Sequence, residues 1–192
     1  SMSFVAGLYF MESYLSFDRP LSSSISMAAK KSGVFFDTRS DLQIIQDLKE
    51  EGVDAVLNTH RRHFLDLSNE SIFNLGGISE KTTVFDNESG EYPIIKMDRY
   101  GFNNPDSVWG AKKTDAVLLG STNTFGFGVK KGEDISSQIR SVTKRSIINL
   151  GSPNTGSLGQ LSGLKEYAEG RSPSVVLWMY FEGNSLRHLR GE

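Results

Sequence analysis

Three short loops hold the residues whose types and spacing could do chemistry. Gly120-Ser121-Thr122-Asn123 sets two hydroxyls side by side directly after an apolar run. Gly151-Ser152-Pro153-Asn154 offers backbone N–H groups and a side-chain amide. Glu182-Gly183-Asn184-Ser185 offers the Asn184 amide. A hydroxyl nucleophile flanked by N–H donors suits acyl transfer: the oxygen attacks a carbonyl, and the donors bind the oxyanion that develops. Such loops are also common in α/β proteins without that activity, so the pattern alone leaves a structural reading open.

The elements needed to bring these loops together are legible around them. Residues 116–119 form a short apolar run and predict a buried strand. Residues 133–145 suit a helix with Ile135, Ile139 and Val142 on its apolar side. Residues 147–150 predict a second strand, 157–169 a helix ended by Gly170, and 174–181 a third, strongly apolar strand. Trp178 and Tyr180 fall on one face of that strand, and Leu177, Met179 and Phe181 on the other, which predicts burial on both faces. The β-loop-α-β-loop-α-β order is the grammar of a parallel sheet with right-handed crossovers. Its chemistry belongs at the carboxyl ends of the strands, where the three loops lie.

The same segments resemble the SGNH/GDSL hydrolase family. Leu118-Leu119-Gly120-Ser121-Thr122-Asn123-Thr124-Phe125-Gly126 is similar to that family's first block, usually Gly-Asp-Ser-x-Thr-x-Gly. Ile147-Ile148-Asn149-Leu150-Gly151-Ser152-Pro153-Asn154 resembles the second block, and Phe181-Glu182-Gly183-Asn184-Ser185 the third. Arg99-Tyr100-Gly101-Phe102-Asn103-Asn104-Pro105 is similar to the lead-in of some bacterial members. The resemblance covers roughly residues 98–192. It implies a flavodoxin-like, mainly parallel sheet in a three-layer α/β/α sandwich. It implies an acyl-ester hydrolase or O-acyltransferase acting without a metal or organic cofactor, with a small-molecule or carbohydrate ester as substrate. Thr122 falls at the nucleophile, and Asn184 at the oxyanion amide. Ser121, Asn123, Gly151 and Asn154 fall in the oxyanion or pocket positions.

Three departures bear on that expectation. Thr122 stands where the family has Ser, and its extra methyl restricts the rotamers of the attacking hydroxyl. Ser121 stands where Asp is usual, and Asn154 where Gly is usual. The family's Asp-x-x-His has no counterpart here: His188 follows Asn184 too closely, and His60 and His63 lie upstream in no matching motif. Without a base the hydroxyl stays protonated, and catalysis falls by orders of magnitude. The expectation is therefore a domain incomplete at its C-terminus, its strand at 174–181 an open edge able to pair with a second copy. The rival reading is a non-catalytic domain of the same fold that binds glycan or a partner protein.

Residues 1–97 are expected to form an extension of mixed α/β structure. Residues 4–16 predict a helix, either an amphipathic core helix or the stub of a membrane anchor or interfacial helix. Residues 25–32 predict a helix capped by Gly33, and Val34-Phe35-Phe36 a short strand or a buried extended segment. Thr38 or Ser40 can cap a helix with Leu42, Ile44, Ile45 and Leu48 on its apolar face. Strands are expected at 53–57, 82–85 and 92–97, the last two joined as a hairpin through Asn87 to Gly90.

Composition narrows the classes. The chain has 192 residues, enough for one domain with a sizeable extension. Twenty-one Lys and Arg against 23 Asp and Glu give a net charge of -2, which excludes a generally basic nucleic-acid binder. With no Cys, there is no thiol nucleophile, disulfide or Cys-based zinc site. No apolar run reaches the length of a membrane span, so membrane association would be peripheral or through an anchor. The resemblance sets such a protein at the bacterial cell envelope, with the cytoplasm as the alternative.

Overall fold

The computed structural model describes residues 21–58 and 74–181. The helix expected at 4–16, the His60–His63 cluster, Asn184 and His188 lie outside the described residues. The chain is mixed α/β, with two three-stranded sheets that fall on either side of residue 98.

Helix α1 (Leu21–Ser32) ends as expected at Gly33, whose positive φ lets Val34 N–H reach back to the Ala29 carbonyl at 3.0 Å. Val34-Phe35-Phe36 is not a strand: Val34 and Phe35 are exposed, and no ladder partner adjoins them. Local β-propensity cannot make a strand without one. Helix α2 (Asp41–Glu50) starts at Ser40 with a capping box, Ser40 Oγ accepting from Gln43 N–H and Gln43 Oε1 from Ser40 N–H. Ile44 and Ile45 are buried and Leu48 packs beside them, against Ala55 and Val84. Leu42 does not join this face. It lies roughly 110° around the helix from the centre of that stripe, at 100° per residue, and is exposed.

Strand β1 (Ala55–Leu57) pairs in parallel with β2 (Thr82–Val84), which pairs antiparallel with β3 (Ile94–Lys96). The expected hairpin joins β2 and β3. Asn87 Oδ1 accepts from Gly90 N–H at 2.8 Å, and Gly90 takes a φ of 103° that side chains disfavour. Val84 faces α2. The opposite face of β2 carries Thr83, and Phe85 follows it.

The second sheet has the order β5-β4-β6, all parallel, with β4 (Ala116–Gly120) central, β5 (Ile147–Asn149) on one side and β6 (Val175–Met179) on the other. Every residue of β4 and β5 is buried. Helix α3 (Thr122–Phe125) follows β4 directly. Helix α4 (Ile135–Thr143) connects toward β5, and α5 (Ser157–Tyr167) toward β6. Val142, expected on the apolar side of α4, is exposed at its last turn.

Strand β6 departs from expectation. Trp178 and Tyr180 do share a face, their rings 5.6 Å apart edge to face, but Trp178 is 53% and Leu177 41% exposed. The strand is an edge, with β4 its hydrogen-bonded neighbour; α5 reaches one face, where Trp178 Nε1 donates to Gln160 Oε1 at 2.6 Å, but every residue of the strand stays exposed. Uniform apolarity reports what a strand is suited to bury against, not that the cover is present.

The two sheets meet through an aromatic seam. Phe85 lies 5.2 Å from the Phe125 ring and 5.7 Å from Phe127, with Ile95 and Met97 packed beside them. This ties the end of α3 to the first sheet.

Candidate functional site

The site is built where β4 gives way to α3. Gly120 ends the strand in a position no other residue fits: a Cβ there would lie 2.0 Å from Thr124 Oγ1 and 3.0 Å from the Met179 carbonyl oxygen. The chain turns at Ser121, whose carbonyl accepts from Phe125 N–H at 3.0 Å and so starts α3. Gly126, with φ of 87°, closes the helix after one turn, its N–H donating to the Thr122 carbonyl at 3.2 Å. This strand–turn–helix holds Ser121 and Thr122 at the carboxyl end of the central strand, both half-buried. Their hydroxyl oxygens are 3.5 Å apart. A small cavity of about 130 Å³ opens beside them, lined by Ser121, Thr122, Asn123, Thr124 and the 179–181 end of the β6 segment.

The loop after β5 packs against the same turn. Ser152 N–H donates to the Gly120 carbonyl at 3.1 Å. A Cβ on Gly151 would lie 2.4 Å from Phe125 N, so only a glycine lets the loop backbone approach α3. These contacts consume donors. Gly151 N–H is held by Asn149 Oδ1 at 2.8 Å, and Ser152 N–H by Gly120. Asn154 adopts a left-handed φ of 58° and is exposed. It lines a different cavity, at the seam between the sheets. Ser121, Thr122 and Asn123 are thus gathered with the end of β6, Gly151 abuts α3 from behind, and Asn154 opens elsewhere. Asn184 lies outside the described residues, as do all three histidines.

The anchoring of α3 was not visible in the motif pattern. Its last two carbonyls are taken by side-chain amides: Asn149 Nδ2 donates to Thr124 O at 2.7 Å, and Asn103 Nδ2 to Phe125 O at 2.8 Å. Helix ends leave such carbonyls without intrahelical partners, and here buried amides fix the one-turn helix in direction. Asn149 also donates to Ser136 Oγ at 3.2 Å. Asp134 accepts from Ser136 Oγ and caps α4 through Ser137 N–H at 2.9 Å.

Behind Asn149 lies Asn104. Its Oδ1 accepts from Asn149 N–H at 2.8 Å, and its Nδ2 donates to Asn149 O at 2.9 Å and to Asp98 Oδ2 at 2.8 Å. Asp98 is 1% exposed and accepts further from Tyr100 N–H, Phe102 N–H and Trp109 Nε1. Arg140 reaches the same cluster, donating to Asn104 Oδ1 and to the Ile147 carbonyl. Burial pulls its pKa below the ordinary arginine value, while the charges of Asp134 and Asp98 oppose that shift. The one sequence signal for this network was the polar Asn149 inside an otherwise apolar strand. A buried amide must find partners.

Thr124 is a second group the motif reading passed over. It is 1% exposed, lines the Thr122 cavity, and its hydroxyl has no hydrogen-bond partner. Among the described residues no cluster of three or more His, Asp or Glu could hold a metal ion. No helix among them is long and apolar enough to cross a membrane. Compared with known proteins, the chain finds no matching family model, curated protein or solved structure.

Proposed function

We propose that this chain is an SGNH-like acyl-ester hydrolase or O-acyltransferase domain on a flavodoxin-like three-layer sandwich, with Thr122 as its nucleophile. One observation carries the reading. Adjacent hydroxyls stand on a glycine-enforced strand–turn–helix at the carboxyl end of the central parallel strand, between the β5 loop and the end of β6, beside a small cavity. In the reaction the Thr122 oxygen attacks the ester carbonyl carbon while a histidine base, which no described residue supplies, takes its proton; without that base the activity of this chain is impaired. The alkoxide leaves with a proton, and water or a sugar hydroxyl then takes the acyl group from the threonine ester. The proposed oxyanion donors are the Thr122 N–H and the Asn184 amide; the β5 loop adds none, because Gly151 N–H is held by Asn149, Ser152 N–H by Gly120, and Asn154 lines the other cavity. The proposed substrates are carbohydrate O-acyl groups at a bacterial envelope.

A second reading, a non-catalytic domain that binds glycan or a partner protein, is favoured by Thr122 in place of Ser and by the engaged loop donors. Hydrolysis of p-nitrophenyl acetate, run beside Thr122→Ser and Thr122→Ala, separates the two. Turnover that rises in the Ser variant and disappears in the Ala variant supports the enzyme. Equal background rates in all three support the binding domain.

A further inference from the structure

A second cavity, of about 200 Å³, lies at the seam between the two sheets, apart from the Thr122 cavity. Leu57, Phe85, Met97, Phe125 and Pro153 supply apolar walls. None of its described lining residues is charged. Thr83 lies in this lining on β2, two residues before Phe85 and opposite Ile95 across the β2–β3 pair. It is 5% exposed, and its hydroxyl has no hydrogen-bond partner. A buried hydroxyl left unpaired is destabilising. Val has the same shape and strand preference without that cost. Asn58, Asn74, Ser152 and Asn154 also contribute neutral polar groups to the lining, and Thr83 is the one among them whose buried hydroxyl is kept unpaired at a penalty.

We infer that this chamber is a binding site for a small neutral molecule with an apolar, ring-sized body and one hydroxyl or amide group that pairs with Thr83. Size and chemistry agree. An apolar cavity of about 150 Å³ accepts benzene, so this one accommodates a ring with one added polar group. With no charge among its described lining residues, a carboxylate or ammonium is costly to desolvate there. Phe85 and Phe125, 5.2 Å apart and tilted, offer edge and face contacts to an aromatic guest. The inference is independent of catalysis at Thr122. It does, however, place a ligand against Phe125, the last residue of α3.

Phenol, benzene and benzoate are suitable probes, titrated into the intact chain and into Thr83→Val, with the Met97 methyl resonance as a reporter inside the chamber. Phenol and benzene should shift that resonance, and benzoate should not. The ratio of phenol to benzene affinity should fall roughly tenfold in Thr83→Val, the equivalent of one hydrogen bond of about 1.4 kcal/mol. An unchanged ratio would overturn the pairing with Thr83, and benzoate binding as tightly as phenol would overturn the neutral-ligand assignment. If neither phenol nor benzene moves the Met97 methyl, the chamber is not a ligand site and its hydroxyl is served by water. Thr83→Val should remain folded in every case, because it removes no contact the hydroxyl makes.

Discussion

Asn104 should be among the most costly side chains in the molecule to remove. Strand β5 is paired with β4 along one edge. Along its other edge the Asn104 amide stands in for a missing strand, accepting from Asn149 N–H and donating to Asn149 O. The same amide serves Asp98 and Arg140. At 5% exposure, water cannot replace it. Asn104→Ala deletes four hydrogen bonds worth about 1 kcal/mol net each, and leaves buried partners whose lost pairing costs about 1–3 kcal/mol apiece. These terms share atoms and do not add, so the expected loss is roughly 3–5 kcal/mol. For a chain of this size that lowers the Tm by roughly 6–20 °C. Urea unfolding followed by tryptophan fluorescence reads it directly, because Trp109 donates to Asp98 in the same cluster. Asn104→Asp is the sharper test. It keeps the shape and the acceptor, but sets an oxygen where the donor faced Asn149 O and Asp98, and it should be comparably damaging. A loss under about 1 kcal/mol in both variants would refute the argument that the amide acts as a surrogate strand.

Other expectations follow from single features. Gly101 has φ of 79°, and a Cβ there would lie 2.2 Å from the Gly77 carbonyl oxygen. Gly101→Ala should therefore cost about 3 kcal/mol or more in urea unfolding, and a change within about 0.5 kcal/mol would show that the 76–77 loop yields freely. Arg99 holds the Asp106 carboxyl at about 2, below its ordinary 3.8. The folded pKa is the lower one, so this pair's contribution is present above pH 3.8 and is lost as pH falls toward about 2. A carboxyl ¹³C titration should give the low midpoint, and Arg99→Gln should return it to the ordinary range; an unmoved midpoint would contradict the pairing. The β6 edge, apolar and exposed on both faces, should self-associate in light scattering, and Trp178→Lys should shift the population toward monomer. A monomer at all concentrations in the parent chain would mean the edge is covered within the molecule.

Much of the secondary structure could be read from local signals. Ser40, one of two cap candidates beside Thr38, announced the start of α2, Gly33 the end of α1, and Asn87 with Gly90 the β2–β3 turn. Each works through bonds between residues a few positions apart, and such bonds do not wait for the rest of the chain. The apolar runs at 116–119 and 147–150 likewise specify buried strands by themselves. The misreadings share a cause. Val34-Phe35-Phe36, Leu42 and β6 are apolar in sequence, but whether an apolar residue is covered depends on an element far away in the chain.

The candidate site divides along the same line. That Ser121 and Thr122 follow a buried strand was legible from the apolar run that ends at Gly120; that they begin a one-turn helix was not, since the next helix was expected only at 133–145. That Gly151 abuts α3 while Asn154 turns to another cavity was not, since both follow from how the β5 loop docks onto Gly120. The support of Asn149, Asn104 and Asp98 behind the helix was equally hidden, for its partners come from positions as much as 45 residues apart. The sequence by itself determined where strands and turns begin and which hydroxyls stand at a strand's end, because those depend on local backbone energetics. Tertiary structure alone decided which donors remain free, which carbonyls of α3 are tied down, and which hydroxyl, Thr83, is left unpaired in a neutral chamber. A buried polar group takes its partner from whatever the fold brings beside it.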